Sequence, residues 1–402
     1  MKILFTIAIL FTSSAAFAQL VGCPDPLALN YSTSAIINDG SCLYAPAIAT
    51  ADTSFILNDT VVETSGLIQL NNYLWTHNDN TDLHLYALDT TNGAIVSRDT
   101  VVNGSNIDME EISQDSLYIY LGDFGNNANG NRQNLVIYRI LKDSLFAHNA
   151  VVDTIAFSYA DQTNFNPQGA FNTDFDCEAF IVTDDSIFLF TKQWIGHQCT
   201  VYSMPKAPGT YVAERRATYD VQGLTTGATY VKNKDLVVLI GYTPLLQPWF
   251  LMLYDYAGTD FFSGNKRMLT TSIGTSQTEG ISSSDGLKFF VTNEKRTIST
   301  VIIPQQLHIF DLSMFTGNYV NTSFEESLQE HSISIFPNPT STAVNLTLTL
   351  NHYYLIQDIS GKTVTTFLAT STQSELDVSS WTNGVYFLID CSTGKSIGQI
   401  VR

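Results

Sequence analysis

The sequence predicts an all-β chain, and three observations carry that reading. From about residue 50 to 317, short apolar or alternating runs rich in Val, Ile, Leu, Phe and Tyr are separated by Asn, Asp, Gly and Thr turns. No stretch long enough for a helix carries a persuasive helical period there. The strand pattern also repeats, with unit starts at Glu63, Glu110, Glu178, Gly227 and Glu279, spaced 47, 68, 49 and 52 residues apart.

Each unit opens with a first strand near a Gly or Glu, continues after a polar turn with a second, and adds an aromatic-rich third. Fourth strands are expected near 95–101, 153–159, 211–219 and 266–272. The last unit lacks one, and the run 50–57 can supply it and close the ring. Four-stranded units recurring about every 40–50 residues are the signature of a β-propeller. Closure leaves only short, protected sheet edges. We therefore expect a five-bladed β-propeller, with six blades as the alternative count. The wide second spacing is absorbed by a Gly/Asn-rich insert at 125–134 and a loop at 161–173.

Composition excludes two classes. The 402 residues hold 19 Lys+Arg against 38 Asp+Glu, a net charge of −19. Only 14% of residues are charged, against about 25% in an average soluble protein, so the excess acid reflects scarce bases. A general nucleic-acid binder needs a basic face. Disorder needs few apolar residues, and here 44% are hydrophobic.

The N-terminus reads as an export leader. Lys2 precedes an apolar run at 3–11, and Ala16-Phe17-Ala18 fits a small-residue cleavage site, so 1–18 reads as a signal peptide with the mature start at Gln19. The run is too short to span a bilayer, which takes about 20 apolar residues, and no later stretch qualifies as a transmembrane segment. Leu20-Val21-Gly22-Cys23 also resembles a lipid-attachment box. The apolar core ends several residues earlier, and Cys23 has a ready partner in Cys42, so cleavage at Gln19 is preferred.

Residues 19–49 form a small module. Gly22-Cys23-Pro24-Asp25-Pro26, Asn30-Tyr31 and Asn38-Asp39-Gly40-Ser41-Cys42 resemble a short repeat common in secreted Bacteroidetes proteins. Pro24 and Asn38 depart from its usual Thr and Asp. The segment is too short to bury a core, so a Cys23–Cys42 staple is expected. Asp25, Asn38 and Asp39 offer oxygens to Ca²⁺, but Asp39-Gly40 also reads as a plain turn, and the turn is preferred.

The central domain, 50–317, resembles a family of secreted bacterial propeller proteins without a firmly assigned activity. The resemblance rests on Asp108-Met109-Glu110-Glu111, Gly122-Asp123-Phe124-Gly125-Asn126-Asn127 with Arg132, Asp176-Cys177-Glu178, Thr191-Lys192, Thr226-Gly227 and Gln277-Thr278-Glu279-Gly280. Asn126 stands where the family pattern has Asp, which would weaken a site built on that acid.

Propeller geometry predicts where a site would be. The start of strand one and the end of strand two meet at one mouth, because the strands are antiparallel. Strand-one starts supply Glu63, Asp108, Glu110, Asp176, Glu178 and Glu279. Strand-two ends supply Asn78, Asp79, Asp123, Lys192, Tyr242, Asn293 and Glu294. Converging carboxylates repel unless a cation or hydrogen bonds relieve them, and all-oxygen ligands suit Ca²⁺. The bland reading is that these acids receive backbone N–H bonds and pair with Lys192, Arg132 or Arg139. Two functions follow: a binding module for an extracellular glycan, protein or small molecule, with Ca²⁺ as a possible stabiliser; or a metal-dependent, phosphatase- or esterase-like hydrolase. The first is preferred, because bases for a phosphate are few and no nucleophile elbow is present. Of the scattered histidines, only His77 lies beside candidate residues.

Cys177 and Cys199 read as a second disulfide, with Cys391 left over and buried. No Cys/His cluster has zinc spacing. A polar linker, 318–331, leads to 332–402, whose alternation and regular turns read as a small β-sandwich. Pro337-Asn338-Pro339, Gly361-Lys362, and the block reaching Gly384 and Tyr386 resemble the type A sorting domain of the Bacteroidetes type IX secretion system. That resemblance implies export across the outer membrane, the secretion machinery as partner, and a surface or extracellular location.

Overall fold

The structure is a computed structural model. It describes residues 20–79, 82–101, 104–147, 150, 152–317, 319–320, 335–348, 353–359, 361–390 and 395–402. The signal-peptide reading and Cys391 fall outside the described residues. Two compact units divide between Val320 and Asn321.

The first unit is a β-propeller. Its sheets follow in chain order, each an antiparallel meander from the axis outward. The first sheet runs Thr64–Leu70, Tyr73–Asn78, His84–Asp89, Ile95–Thr100. The second runs Met109–Gln114, Tyr118–Asp123, Leu135–Leu141, Val152–Tyr159. The third runs Asp176–Val182, Ser186–Lys192, Cys199–Pro205, Gly209–Tyr219. The fourth runs Leu224–Val231, Leu236–Tyr242, Pro248–Tyr254, Asn265–Thr271. The fifth takes Thr278–Ser282, Lys288–Asn293 and Gln306–Asp311, and its outer strand is Ala51–Ile56 from the N-terminal end of the domain. The innermost strands neighbour one another in that order, and the last returns to the first.

Apolar layers between consecutive sheets hold this ring together. Ile68, Trp75, Ile119 and Ile140 fill the space between the first and second sheets. Phe124, Phe157, Phe180 and Tyr202 fill the next. Leu67, Leu74, Phe290 and Leu307 close the fifth sheet onto the first. Alternation explains this: each strand shows one face to each neighbouring sheet, so both faces must be apolar.

One pairing was not expected. Gly209–Tyr219 overhangs its own sheet, and its first half pairs in parallel with Val152–Tyr159, joining the outer edges of the second and third sheets. The insert and loop that widen this repeat fold on each other. Gln168 N donates to Asn129 O, and Phe171 N donates to Asn127 O, each at 2.8 Å.

The N-terminal module carries the Cys23–Cys42 disulfide and docks on the fourth sheet. Asp25 Oδ2 accepts from Tyr44 and Tyr254 hydroxyls, each at 2.7 Å. Asn38 Nδ2 donates to Asp255 Oδ2 at 2.8 Å, and its Oδ1 accepts Gly40 N at 2.9 Å. Asp39 Oδ1 accepts Ser41 N. These bonds give the three side chains turn and docking roles. Ile48–Ala49 then pairs with the outer strand of the fourth sheet.

The predicted Cys177–Cys199 bridge is not formed; both are free, buried thiols. The strands that carry them flank a common neighbour, and the thiols face opposite sides of the sheet. Cys177 packs in the layer toward the second sheet, Cys199 in the layer toward the fourth. A bridge would have to cross the sheet between them.

The second unit is a sandwich of two sheets. One holds Ile335–Phe336, Ala343–Thr347 and Gln373–Asp377; the other holds Thr363–Leu368, Tyr353–Asp358, Val385–Asp390 and Lys395–Val401. Val344, Leu346, Tyr354, Ile356, Leu388 and Ile400 form its core. The predicted motif residues sit at its turns, except Tyr386, which lies in the strand Val385–Asp390. Asn338 bridges Val401 N and Gln399 O. Gly361 takes φ +81° before Lys362, whose N–H donates to Asp358. Gly384 exchanges both backbone bonds with Arg402, and Tyr386 OH donates to Thr382 O.

Candidate functional site: an acidic well at the propeller mouth

Strand register builds the site. Thr64 pairs with Asn78, Met109 with Asp123, Asp176 with Lys192, Leu224 with Tyr242 and Thr278 with Asn293. Each innermost strand therefore begins opposite the end of its second strand, at one mouth. Four of the innermost strands also share a β-bulge at the second or third residue, and in the first sheet the register shift falls between Ser65 and Ile68. Register shifts in those four leave Glu110, Glu178, Thr226 and Glu279 as the extra residues. A bulge re-aims a side chain that alternation would send between the sheets. Ser65 takes the matching place in the first strand. Its hydroxyl donates to Glu110 O at 2.5 Å, and Thr226 Oγ1 likewise donates to Thr278 O. The three glutamates turn their carboxylates to the axis.

They line a cavity of about 70 Å³ together with Glu63, Thr64, Ser65, Asp79, Asn127, Lys192, Gln277 and Glu294. Oxygens of Glu63, Asp79 and Glu294 lie within 4.8 Å of one another, half-buried. Deeper, Lys192 Nζ sits 2.5 Å from Glu178 Oε2 and over the rings of Trp194, at 4.7 Å, and Tyr242, at 5.3 Å. Lys192 is the one base lining the well among the described residues.

The other predicted residues hold the mouth together. Asp123 is fully buried, pairs with Arg132 at 2.5 Å and accepts Asp108 N. Asp176 accepts Asn126 N and Trp194 Nε1. Asn78 donates to Thr60 O and accepts Glu63 N. Asn293 joins His308 Nε2 to Pro304 O. Asp108 lies over Gly125, where a Cβ would come within 2.4 Å of its Oδ2 and 2.3 Å of Glu110 Oε1. His77 is buried, and its Nδ1 meets Asn78 O.

Burial and crowding load these carboxyls with protons. Burial, then Glu63 and Glu294, pushes Asp79 up to about 8. Glu279 is pushed up to about 8 by burial, with Lys192 pulling back. Burial lifts Glu294 to about 7 and Asp108 to about 6. Glu110 and Glu178 are driven well up by burial. Burial alone would lower Lys192, but Glu178 and its neighbours override that and hold the ammonium charged.

Gln277, Ser65, Asn127 and Trp194 were not among the residues expected at the mouth, whereas Tyr242, at the end of its second strand, was. Gln277 was findable: in the repeat it occupies the position of Glu63, Asp108 and Asp176, at the entry to strand one.

The second unit decides the comparison with known proteins. Residues 334–401 match the family described as "Secretion system C-terminal sorting domain". The chain thus carries a type IX sorting domain, which directs it to the cell surface or the medium and implies the secretion machinery as partner. No helix of the described residues is long and apolar enough to cross a membrane. The search of curated proteins returned no match. Among solved structures, the chain is similar to Myxococcus xanthus glutaminyl cyclase at 10% identity and TM-score 0.42, covering 66% of this chain and 99% of that one. It is also similar to PorZ, a surface component of the type IX secretion system of Porphyromonas gingivalis. That match has 12% identity and TM-score 0.31, and covers 84% of this chain and 44% of PorZ.

Proposed function

We propose that this chain is a secreted, five-bladed propeller that acts as a binding module and holds Ca²⁺ at its mouth through Glu63, Asp79 and Glu294. The carrying observation is that carboxylate triad, whose oxygens lie within 4.8 Å of one another. Ca²⁺ takes six to eight oxygens at roughly 2.3–2.6 Å, and one ion would relieve the repulsion that pushes Asp79 and Glu294 up. The domains we propose are a module at 19–49, the propeller at 50–317, a linker at 318–331 and the sorting domain at 332–402. A hydrolase has less support, since Lys192 is already engaged by Glu178 and a phosphate would meet mainly carboxylates. The test is metal analysis of the purified chain, with melting measured with and without chelator. At a hundredfold excess over Kd, Ca²⁺ should stabilise by about 2.7 kcal/mol. No bound metal and no shift in melting would remove the cation from the reading.

A further inference from the structure

A cation on the triad leaves part of the well unanswered. Glu279 Oε2, Gln277 Oε1 and Asp79 Oδ1 are buried and without a hydrogen-bond partner. Asp79 belongs to the triad, but Glu279 and Gln277 lie on the adjacent strand start. Both are more than nine-tenths buried, at 7% and 8% exposure. With Gln277 Nε2 donating to Tyr242 OH at 3.0 Å, its carbonyl oxygen is the end left without a partner. Leaving a buried polar atom unmet is costly, so both call for a hydrogen-bonding partner.

Charge restricts which partner. The only lining base among the described residues, Lys192, is spent on Glu178. Glu110, Glu178 and Glu279 stay beside any ion on the triad, so the well offers an anionic ligand no unpaired base among its lining residues. Lining restricts it further. The side chains around the well are all polar, so it takes hydroxyls rather than an apolar group. Outside it, Phe171 stacks on Trp194 at 4.6 Å between centroids and is 58% exposed, giving the rim an apolar face.

Resting on the cation reading, we propose that the mouth recognises a non-anionic glycan by a vicinal pair of hydroxyls. The hydroxyl oxygens complete the shell of the cation, their protons go to Glu279 Oε2 and Gln277 Oε1, and the ring lies on Phe171.

The test uses calorimetry on the full chain. Ca²⁺ alone is titrated first; then methyl mannoside, methyl galactoside, glucosamine and galacturonate are titrated with Ca²⁺ present. We expect a neutral or amino sugar to bind about tenfold or more tighter than galacturonate, a difference of about 1.4 kcal/mol. Gln277→Leu should weaken sugar binding about tenfold and leave the Ca²⁺ titration unchanged. Three results overturn the glycan: galacturonate binding tightest, Ca²⁺ binding with no sugar response, or Gln277→Leu without effect on a bound sugar. Absence of Ca²⁺ binding in the first titration instead strikes the cation reading itself, and the glycan proposal falls with it.

Discussion

Glu111 Oε2 accepts the backbone N–H of Ala228 at 2.9 Å, a bond that runs from the innermost strand of the second sheet to that of the fourth. Its other oxygen accepts Ile112 N at 2.9 Å. Glu111 is fully buried. The matching positions of the other sheets are Gly66, Ala179, Gly227 and Gly280, so one long side chain fills a channel the others leave open. At Gly66, with φ +38°, a Cβ would lie 2.6 Å from Glu111 Oε1. Glu111→Ala would leave two buried donors unmet, and we expect a loss of about 2 kcal/mol or more. Denaturant melts should show it, with Glu111→Gln intermediate because its carbonyl oxygen still accepts.

The well makes stability depend on pH with a definite sign. Asp79 and Glu279 are raised to about 8 and Glu294 to about 7, above the roughly 4 of unfolded carboxyls. The folded chain therefore holds more protons than the unfolded chain between those values. The contribution is fully present below about pH 4 and is lost as pH climbs through 7 to 8. In chelator, melting temperature should fall from pH 5 to pH 9. Added Ca²⁺ should restore it at pH 9 and do little at pH 5, because the ion competes with protons. A flat profile in chelator would contradict the crowding described for the well.

The cysteine arrangement is checked by mass spectrometry. Non-reduced digests should yield the Cys23–Cys42 cross-link and no peptide joining Cys177 to Cys199. After unfolding, both should take up an alkylating reagent; in the folded state both should resist it, since burial pushes the two thiols up and thiolate is the reactive form.

Asp25 ties the N-terminal module to the fourth sheet. Asp25→Ala removes the acceptor shared by the Tyr44 and Tyr254 hydroxyls and leaves them only their mutual bond at 3.0 Å, at a cost of about 1–3 kcal/mol. Hydrogen exchange should rise in residues 23–49 ahead of the propeller strands. Unchanged exchange there would mean the module is held by other contacts.

Removal of 332–402 should leave the protein in the periplasm, read by fractionation. Normal appearance at the surface or in the medium would overturn the role of the sorting domain.

Much of the fold was legible because strand periodicity and repeat spacing are local properties. The outer strand supplied by Ala51–Ile56 was readable from an arithmetic gap: the last unit had three strands and an unplaced run stood upstream. The well was legible only in part. Glu63, Asp79, Glu110, Glu178, Lys192, Glu279 and Glu294 come together, whereas Asp123, Asp176, Asn78 and Asn293 serve as braces. Sequence position alone could not separate them, because both sets sit at strand ends. What separates them is the bulge, which turns Glu110, Glu178 and Glu279 inward, and a bulge is a property of a pair of strands.

The sequence by itself determined the all-β repeat, the stapled module and the sorting domain, since each follows from residue order over short distances. Only the tertiary structure decided which acids share one cavity, that Glu111 pins the channel, and that Cys177 and Cys199 face apart. Those relations join residues brought close by ring closure and by the pairing of sheets, and a strand's alternation says which face a side chain takes but not what stands across from it.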